Sequence, residues 1–122
     1  MRVLVPTALA SAATMALVIG CAHTLGPQME PARVAKDVGF PNCRVSVPLS
    51  PEEMLATARL VGVSAPETQS DWVQMQTSRR PGDQLRFVSC SSGKHAGAAG
   101  HSFFGLFRGG SVALEAFQMI DN

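Results

Sequence analysis

Two histidines and two serines near a lysine are the residues of this sequence whose types could support metal binding or catalysis. They are His95, His101, Ser91, Ser92 and Lys94, all within the stretch SSGKHAGAAGH. Zinc sites use three or four protein ligands in a fixed geometry, and a catalytic Ser/Lys pair has the spacing SxxK on a helix. The stretch has neither pattern, and its glycines predict a flexible loop that does not preorganise a site. We therefore expect no metal, no cofactor and no catalytic residues.

The N-terminal segment has the layout of an export signal. Met1 and Arg2 carry positive charge, residues 3–19 are mostly Val, Leu, Ala, Met and Ile without any charge, and Gly20 is small. A charged start, an apolar middle and a small residue before the cut are typical of secretory signals. The apolar part is short for a membrane span, which needs about 20 apolar residues.

The end of this segment, Val18-Ile19-Gly20-Cys21, resembles the lipobox of bacterial lipoproteins. The resemblance covers residues 1–21 and implies cleavage before Cys21, followed by acylation of the cysteine, palmitate being the expected fatty acid. Ala22, where Asp would favour the inner membrane, implies an outer-membrane anchor with the domain facing the periplasm. The alternative is an ordinary signal peptide, with Cys21 free or disulfide-bonded and the mature chain soluble.

The lipobox also bears on the other two cysteines. If Cys21 takes lipid, as the resemblance implies, Cys43 and Cys90 remain in a protein exported to an oxidising compartment. We expect a structural disulfide between them. The alternative, a redox or nucleophilic thiol, has less support because the sequence has no CxxC motif and no histidine adjacent to either cysteine.

Charge gives no indication of a nucleic-acid partner. The chain has ten Lys+Arg and nine Asp+Glu, and Arg2 is the only charged side chain among residues 1–20. The mature part is therefore close to neutral and lacks the basic stripe that neutralises phosphates.

The chain divides into three parts. Residues 1–20 are the predicted signal peptide, and residues 43–122 are predicted to form a single domain. Between them, residues 21–42 contain the lipidated cysteine and a stretch rich in proline and glycine. We interpret this stretch as a flexible tether that holds the domain off the membrane, although its apolar residues Val34, Val38 and Phe40 could pack.

The domain sequence indicates an α+β fold. CRVSVPL (43–49) alternates as a strand does, and SPEEMLATARLVG (50–62) has the capping box and apolar stripe of a helix. WVQMQTS and DQLRFVSC, joined by RRPG, predict a first hairpin, and FFGLFR and SVALEAFQMI, joined by Gly109-Gly110, predict a second. The expected fold is a small antiparallel sheet of about five strands, with one helix packed on it and one disulfide.

The second hairpin contains the best candidate for a contact surface. Pairing Phe107 with Val112, Gly105 with Leu114 and Phe103 with Ala116 would put those side chains on one face. The other face would then present four large apolar residues, Phe104, Leu106, Phe117 and Met119. If uncovered, such a patch marks a contact site; the alternative is that a helix or the first hairpin covers it. Trp72, the only tryptophan, is either core or a partner anchor.

These features favour a non-enzymatic envelope lipoprotein that acts by protein–protein binding, as an accessory or assembly subunit of an outer-membrane or periplasmic complex. Its expected partners are the membrane, through lipid on Cys21, and an envelope protein. The alternative function is a periplasmic inhibitor or a small-ligand-binding module.

Overall fold

The computed structural model describes residues 26–91 and 100–121. Over these ranges four strands form one antiparallel sheet in the order β1-β2-β3-β4. The elements along the chain are α1 (Ala32–Asp37), β1 (Cys43–Val45), α2 (Pro51–Leu60), a 3₁₀ helix (Pro66–Thr68), α3 (Ser70–Ser78), β2 (Gln84–Ser91), β3 (Gly100–Arg108) and β4 (Ser111–Asp121). The α+β prediction is thus confirmed, but the sheet has four strands instead of five.

Helix α2 begins and ends as the sequence predicts. The Ser50 hydroxyl accepts a hydrogen bond from Glu53 N at 3.1 Å, and Ser50 N donates to the Glu53 carboxylate at 2.8 Å. This capping box satisfies two backbone donors that the first turn leaves without partners. At the other end Gly62 has φ +104°, a left-handed conformation that terminates the helix. Met54 and Ala58, one turn apart, are fully buried.

The first predicted hairpin is wrong, because the segment WVQMQTS belongs to helix α3 and not to a strand. Trp72 and Met75 are three residues apart and both pack on the core, which is the spacing of one helix face. The RRPG turn itself is confirmed: Gly82 has φ +89° and Asp83 N donates to Arg80 O at 3.0 Å. This turn joins a helix to β2, so the strand pattern of QMQT was overridden by tertiary packing.

The second hairpin is confirmed, but its pairing beyond the turn is not the predicted one. Phe107 pairs with Val112 as expected, after which the register shifts and Leu106 pairs with Leu114. The extra residue in β4 is a β-bulge, and it moves the following side chains to the opposite face. Leu114 and Ala116 therefore join Phe104 on one face, where the unshifted register would have separated them.

Both faces of the sheet carry an apolar core. Helices α2 and α3 cover one face, and we call this the α2/α3 face. Its buried residues are Leu49, Met54, Ala58, Met75, Leu85, Phe87, Phe104, Leu106, Ala116 and Phe117. The opposite face packs against α1 through Ala35, Val45, Val88, Cys90, Phe103 and Phe107.

The predicted disulfide is confirmed. Cys43 and Cys90 are direct partners in the β1–β2 register, with Cα atoms 4.0 Å apart, and they are bonded. The bond lies on the α1 side of the sheet and joins the shortest strand to its neighbour. It therefore holds an element of three residues whose own hydrogen bonds are few.

The packed part of the chain begins well before residue 43. Glu30 N donates to Val45 O at 2.8 Å and Val47 N donates to Gln28 O at 2.9 Å, so residues 28–30 run along β1 as an added edge. Val34, Val38 and Phe40 then pack on the α1 side of the sheet. The described portion of the predicted tether is thus part of the domain.

Candidate functional site

A groove opens on the α2/α3 face at the end of the sheet where β2 ends and β3 begins. Its volume is about 770 Å³. The sheet supplies the floor through Phe87, Ser89 and Ser102, and β4 supplies residues 117–120 along one side. The chain after α2, residues 61–64, lines the helix side together with Gln69 and Asp71 at the start of α3.

The groove exists because the sheet is longer than the helical layer above it. Helix α2 stops at Leu60, since Gly62 takes the left-handed conformation that ends it. Strands β2 and β3 continue past that point, and the residues that follow Phe87 and precede Phe104 on this face are Ser89 and Ser102, which pair directly. The uncovered end of the sheet is therefore polar where the covered part is apolar.

The two floor serines offer hydrogen bonds to a bound molecule. Ser102 is only 5% exposed, and within the described ranges no hydrogen bond joins either hydroxyl to another residue. A hydroxyl has one donor and two acceptor positions, so the pair can satisfy both backbone N–H and C=O groups of a ligand. A nucleophilic serine instead requires a base within hydrogen-bonding distance. The carboxylate that lines the groove, Asp71, is already hydrogen-bonded elsewhere.

Asp71 fixes the wall formed by β4. Its Oδ2 accepts a hydrogen bond from Phe117 N at 2.8 Å. Phe117 has φ +55°, a left-handed conformation that is unfavourable for a side chain of this size. The register shift between Ser102 and Phe104 lies opposite this residue, so its N–H is released from the strand ladder and is taken by the carboxylate. The bond ties the first turn of α3 to the bulge.

The rim of the groove is apolar. Val61 is 37% exposed, and Leu60, next to it, is 64% exposed. Met119 pairs with Ser102 on the groove face and packs partly on the core, whereas Ile120 pairs with His101 and so has its side chain on the α1 side of the sheet. Exposed apolar side chains such as these gain free energy when a bound molecule removes them from water.

The structure separates the residues of the predicted contact patch. Phe104, Leu106 and Phe117 are core residues under α2 and α3, so the covered-face alternative describes them. Met119 lines the groove, and Trp72 is half-buried against the core. The patch therefore does not exist as an exposed surface, and one of its members contributes to the groove.

The remaining predicted residues are elsewhere. Cys43 and Cys90 form the disulfide on the opposite face. His101 stacks on Phe103 with ring centroids 5.9 Å apart, whereas Cys21, Ser92, Lys94 and His95 lie outside the described residues. Among residues 26–91 and 100–121 no three His, Cys, Asp or Glu side chains come together as metal ligands would.

The groove residues that sequence reasoning missed include Val61, Asp71, Ser89 and Ser102. A signal was present for Ser89, because in QLRFVSC it occupies the face of Leu85 and Phe87. A polar residue on an apolar strand face is either a buried hydrogen-bonding group or the end of the covered region. Ser102 could be paired with it only after the β2–β3 register was known.

Comparisons with known proteins found no relatives: no family model, no curated protein and no solved structure matches this chain. Among the described residues no helix is long and apolar enough to cross a membrane.

Proposed function

We propose that this protein is a small lipoprotein of the bacterial cell envelope that binds another protein, as an accessory or assembly subunit of an outer-membrane or periplasmic complex. The lipobox supports the anchor. The groove is the observation that carries the binding function, because it combines an exposed apolar rim with two hydroxyls, Ser89 and Ser102, that have no hydrogen-bond partner among residues 26–91 and 100–121. Under this proposal the domain has no catalytic role.

An extended segment of the partner is the ligand that this chemistry suits. Its backbone N–H and C=O groups lose water on binding and need replacement hydrogen bonds, which the two serines can supply. Its apolar side chains can pack against Val61 and Met119. Interfaces commonly combine apolar contacts with a few well-placed hydrogen bonds.

A small-ligand-binding or inhibitory module is the second candidate. The groove volume of about 770 Å³ falls within the range of about 300–1,000 Å³ that small-molecule sites occupy. Its predominantly polar floor favours a ligand with hydroxyl or amide groups. The two candidates differ in the mass of what the groove captures in the cell.

Photo-cross-linking in cells tests the proposal. A photoreactive amino acid replaces Met119, which pairs with Ser102 on the groove face, and the control replaces Val73, which is 54% exposed but does not line the groove. We expect the Met119 position to capture one envelope protein that the Val73 position does not capture. Equal capture from both positions would refute binding in the groove, and adducts of small mass only would favour the second candidate.

The anchor has a separate test. Cys21→Ser is expected to prevent acylation and to release the processed or unprocessed protein from the outer-membrane fraction. Unchanged fractionation of this variant would remove the lipoprotein proposal and leave the groove result standing.

A further inference from the structure

We infer that this domain rests directly on the lipid bilayer, with the end of α2 at Leu60 in contact with the headgroup region. The inference depends on the proposed acylation of Cys21 and replaces the expectation of a long tether. The partner that contacts the surface around Leu60 is the membrane that holds the Cys21 acyl chains. It is carried by the position of Gly26 in the fold and by what surrounds that position.

The chain enters the domain at the end of α2. A methyl group placed on Gly26 would lie 3.2 Å from Leu60 Cδ2, so the two residues are in contact. Two residues later the backbone is fixed along β1 by the hydrogen bond from Val47 N to Gln28 O at 2.9 Å. The Glu30 carboxylate lies 3.4 Å from Arg86 Nη1, an ion pair that holds the same segment to β2. Gly26 is therefore a fixed point of the domain and not part of a long linker.

The distance from this point to the membrane is short. Five residue steps separate Cys21 from Gly26, and an extended chain covers at most about 3.6 Å per residue, or about 18 Å in all. An acylated cysteine lies in the headgroup region, which is about 5–8 Å thick on each side of the hydrocarbon. A domain of this size has a diameter of roughly 30 Å, from a radius of gyration near 13 Å. The reach of the chain is thus less than one domain diameter, so orientations that put Gly26 on the side away from the bilayer are excluded.

The surface around Gly26 is suited to that position. Leu60 is 64% exposed and Val61 is 37% exposed, although both are large apolar side chains that gain by leaving water. They follow one another at the C-terminal end of α2. A few apolar residues inserted at headgroup level, added to covalent lipid, provide the second membrane contact that stabilises an anchored domain.

Lipid cross-linking from the acylated protein tests the inference. Full-length protein is purified with its lipid, the acyl groups on Cys21 are verified by mass spectrometry, and the protein is reconstituted in phosphatidylethanolamine/phosphatidylglycerol vesicles. A diazirine-bearing amino acid replaces Leu60 in one sample and Val73 in the matched control. We expect at least a fivefold higher yield of lipid adducts from position 60.

A spacer supplies the second measurement. Inserting about ten Gly/Ser residues after residue 24 lengthens the reach beyond a domain diameter, and we expect the adduct yield from position 60 to fall toward that of position 73. Equal yields from the two positions in acylated, unextended protein would overturn the inference and leave the lipoprotein proposal intact. An unacylated Cys21 would overturn both.

Discussion

Replacing Asp71 tests how the wall of the groove is held. In Asp71→Ala the Phe117 N–H loses its acceptor at 2.8 Å, and Phe117 is only 7% exposed. A buried donor left without a partner costs about 1–3 kcal/mol. For a domain of about 100 residues each kcal/mol lowers the melting temperature by about 4–8 °C. We therefore expect Asp71→Ala to melt at least about 4 °C below the wild type.

The matched control is Asp71→Asn, which keeps an acceptor oxygen but removes the charge. Asp71 lies in the first turn of α3, where a negative charge stabilises the helix by about 0.3–1 kcal/mol. The difference between the two variants thus isolates the hydrogen bond. Thermal and urea unfolding, each followed by the fluorescence of Trp72, the single tryptophan, measure the stability of both variants. Equal midpoints for the Ala and Asn variants would refute the reasoning and would show that packing alone holds the bulge. Rapid hydrogen exchange of the Phe117 amide in the Ala variant, but not in the Asn variant, would support the hydrogen bond to Asp71.

Three further predictions concern the rest of the domain. Replacing both Cys43 and Cys90 with Ala should lower the free energy of unfolding by about 4 kcal/mol, since the sequence separation of 47 sets the loop entropy; an unchanged urea midpoint would contradict this. Gly105→Ala should lower the free energy of unfolding by about 1–3 kcal/mol, because the new methyl would lie 2.6 Å from the ring of Phe107. Adding Phe107→Leu to this variant should restore part of the lost stability. The pKa of Asp83 is lowered from 3.8 to about 2 by its bond to an arginine, so its contribution to stability is complete above about pH 4 and is lost between pH 4 and 2. Asp83→Asn should flatten the acid limb of a stability–pH curve, and an unaltered slope over that window would contradict the assignment.

The elements that sequence predicts best are those whose signals are local. The capping box of Ser50 and Glu53, the glycine at position 62 and the Gly109-Gly110 turn each specify the conformation of a few neighbouring residues, and each is present in the structure. The Cys43–Cys90 bond was also predictable, because the resemblance of residues 18–21 to a lipobox left these two cysteines as the expected pair. These signals do not depend on contacts between distant parts of the chain.

The sequence-based predictions are wrong where contacts between distant parts of the chain determine the local structure. The apolar residues around Trp72 and Met75 fit both the two-residue repeat of a strand and the 3.6-residue repeat of a helix. Packing against the core beneath α3 selects the helix. No residue in the sequence of β4 predicts its bulges, yet the register shift moves Leu114 and Ala116 to the other face of the sheet. The candidate site depends on both: α3 supplies Asp71, and the bulge at Phe117 places the wall. The groove could therefore not be predicted from the sequence, although Ser89, one of its two floor serines, is recognisable as a polar residue on an apolar strand face.

Under the proposed lipid anchor, the bulged strand β4 also affects how copies of this protein behave when many are held on one membrane surface. β4 is the outer strand of the sheet over the described ranges and runs for eleven residues. An uninterrupted edge of that length is a template on which a second chain can add and begin aggregation. The two register shifts and the left-handed Phe117 interrupt it, so no long regular row of donors and acceptors is offered. Molecules crowded in one plane could then meet edge to edge without polymerising.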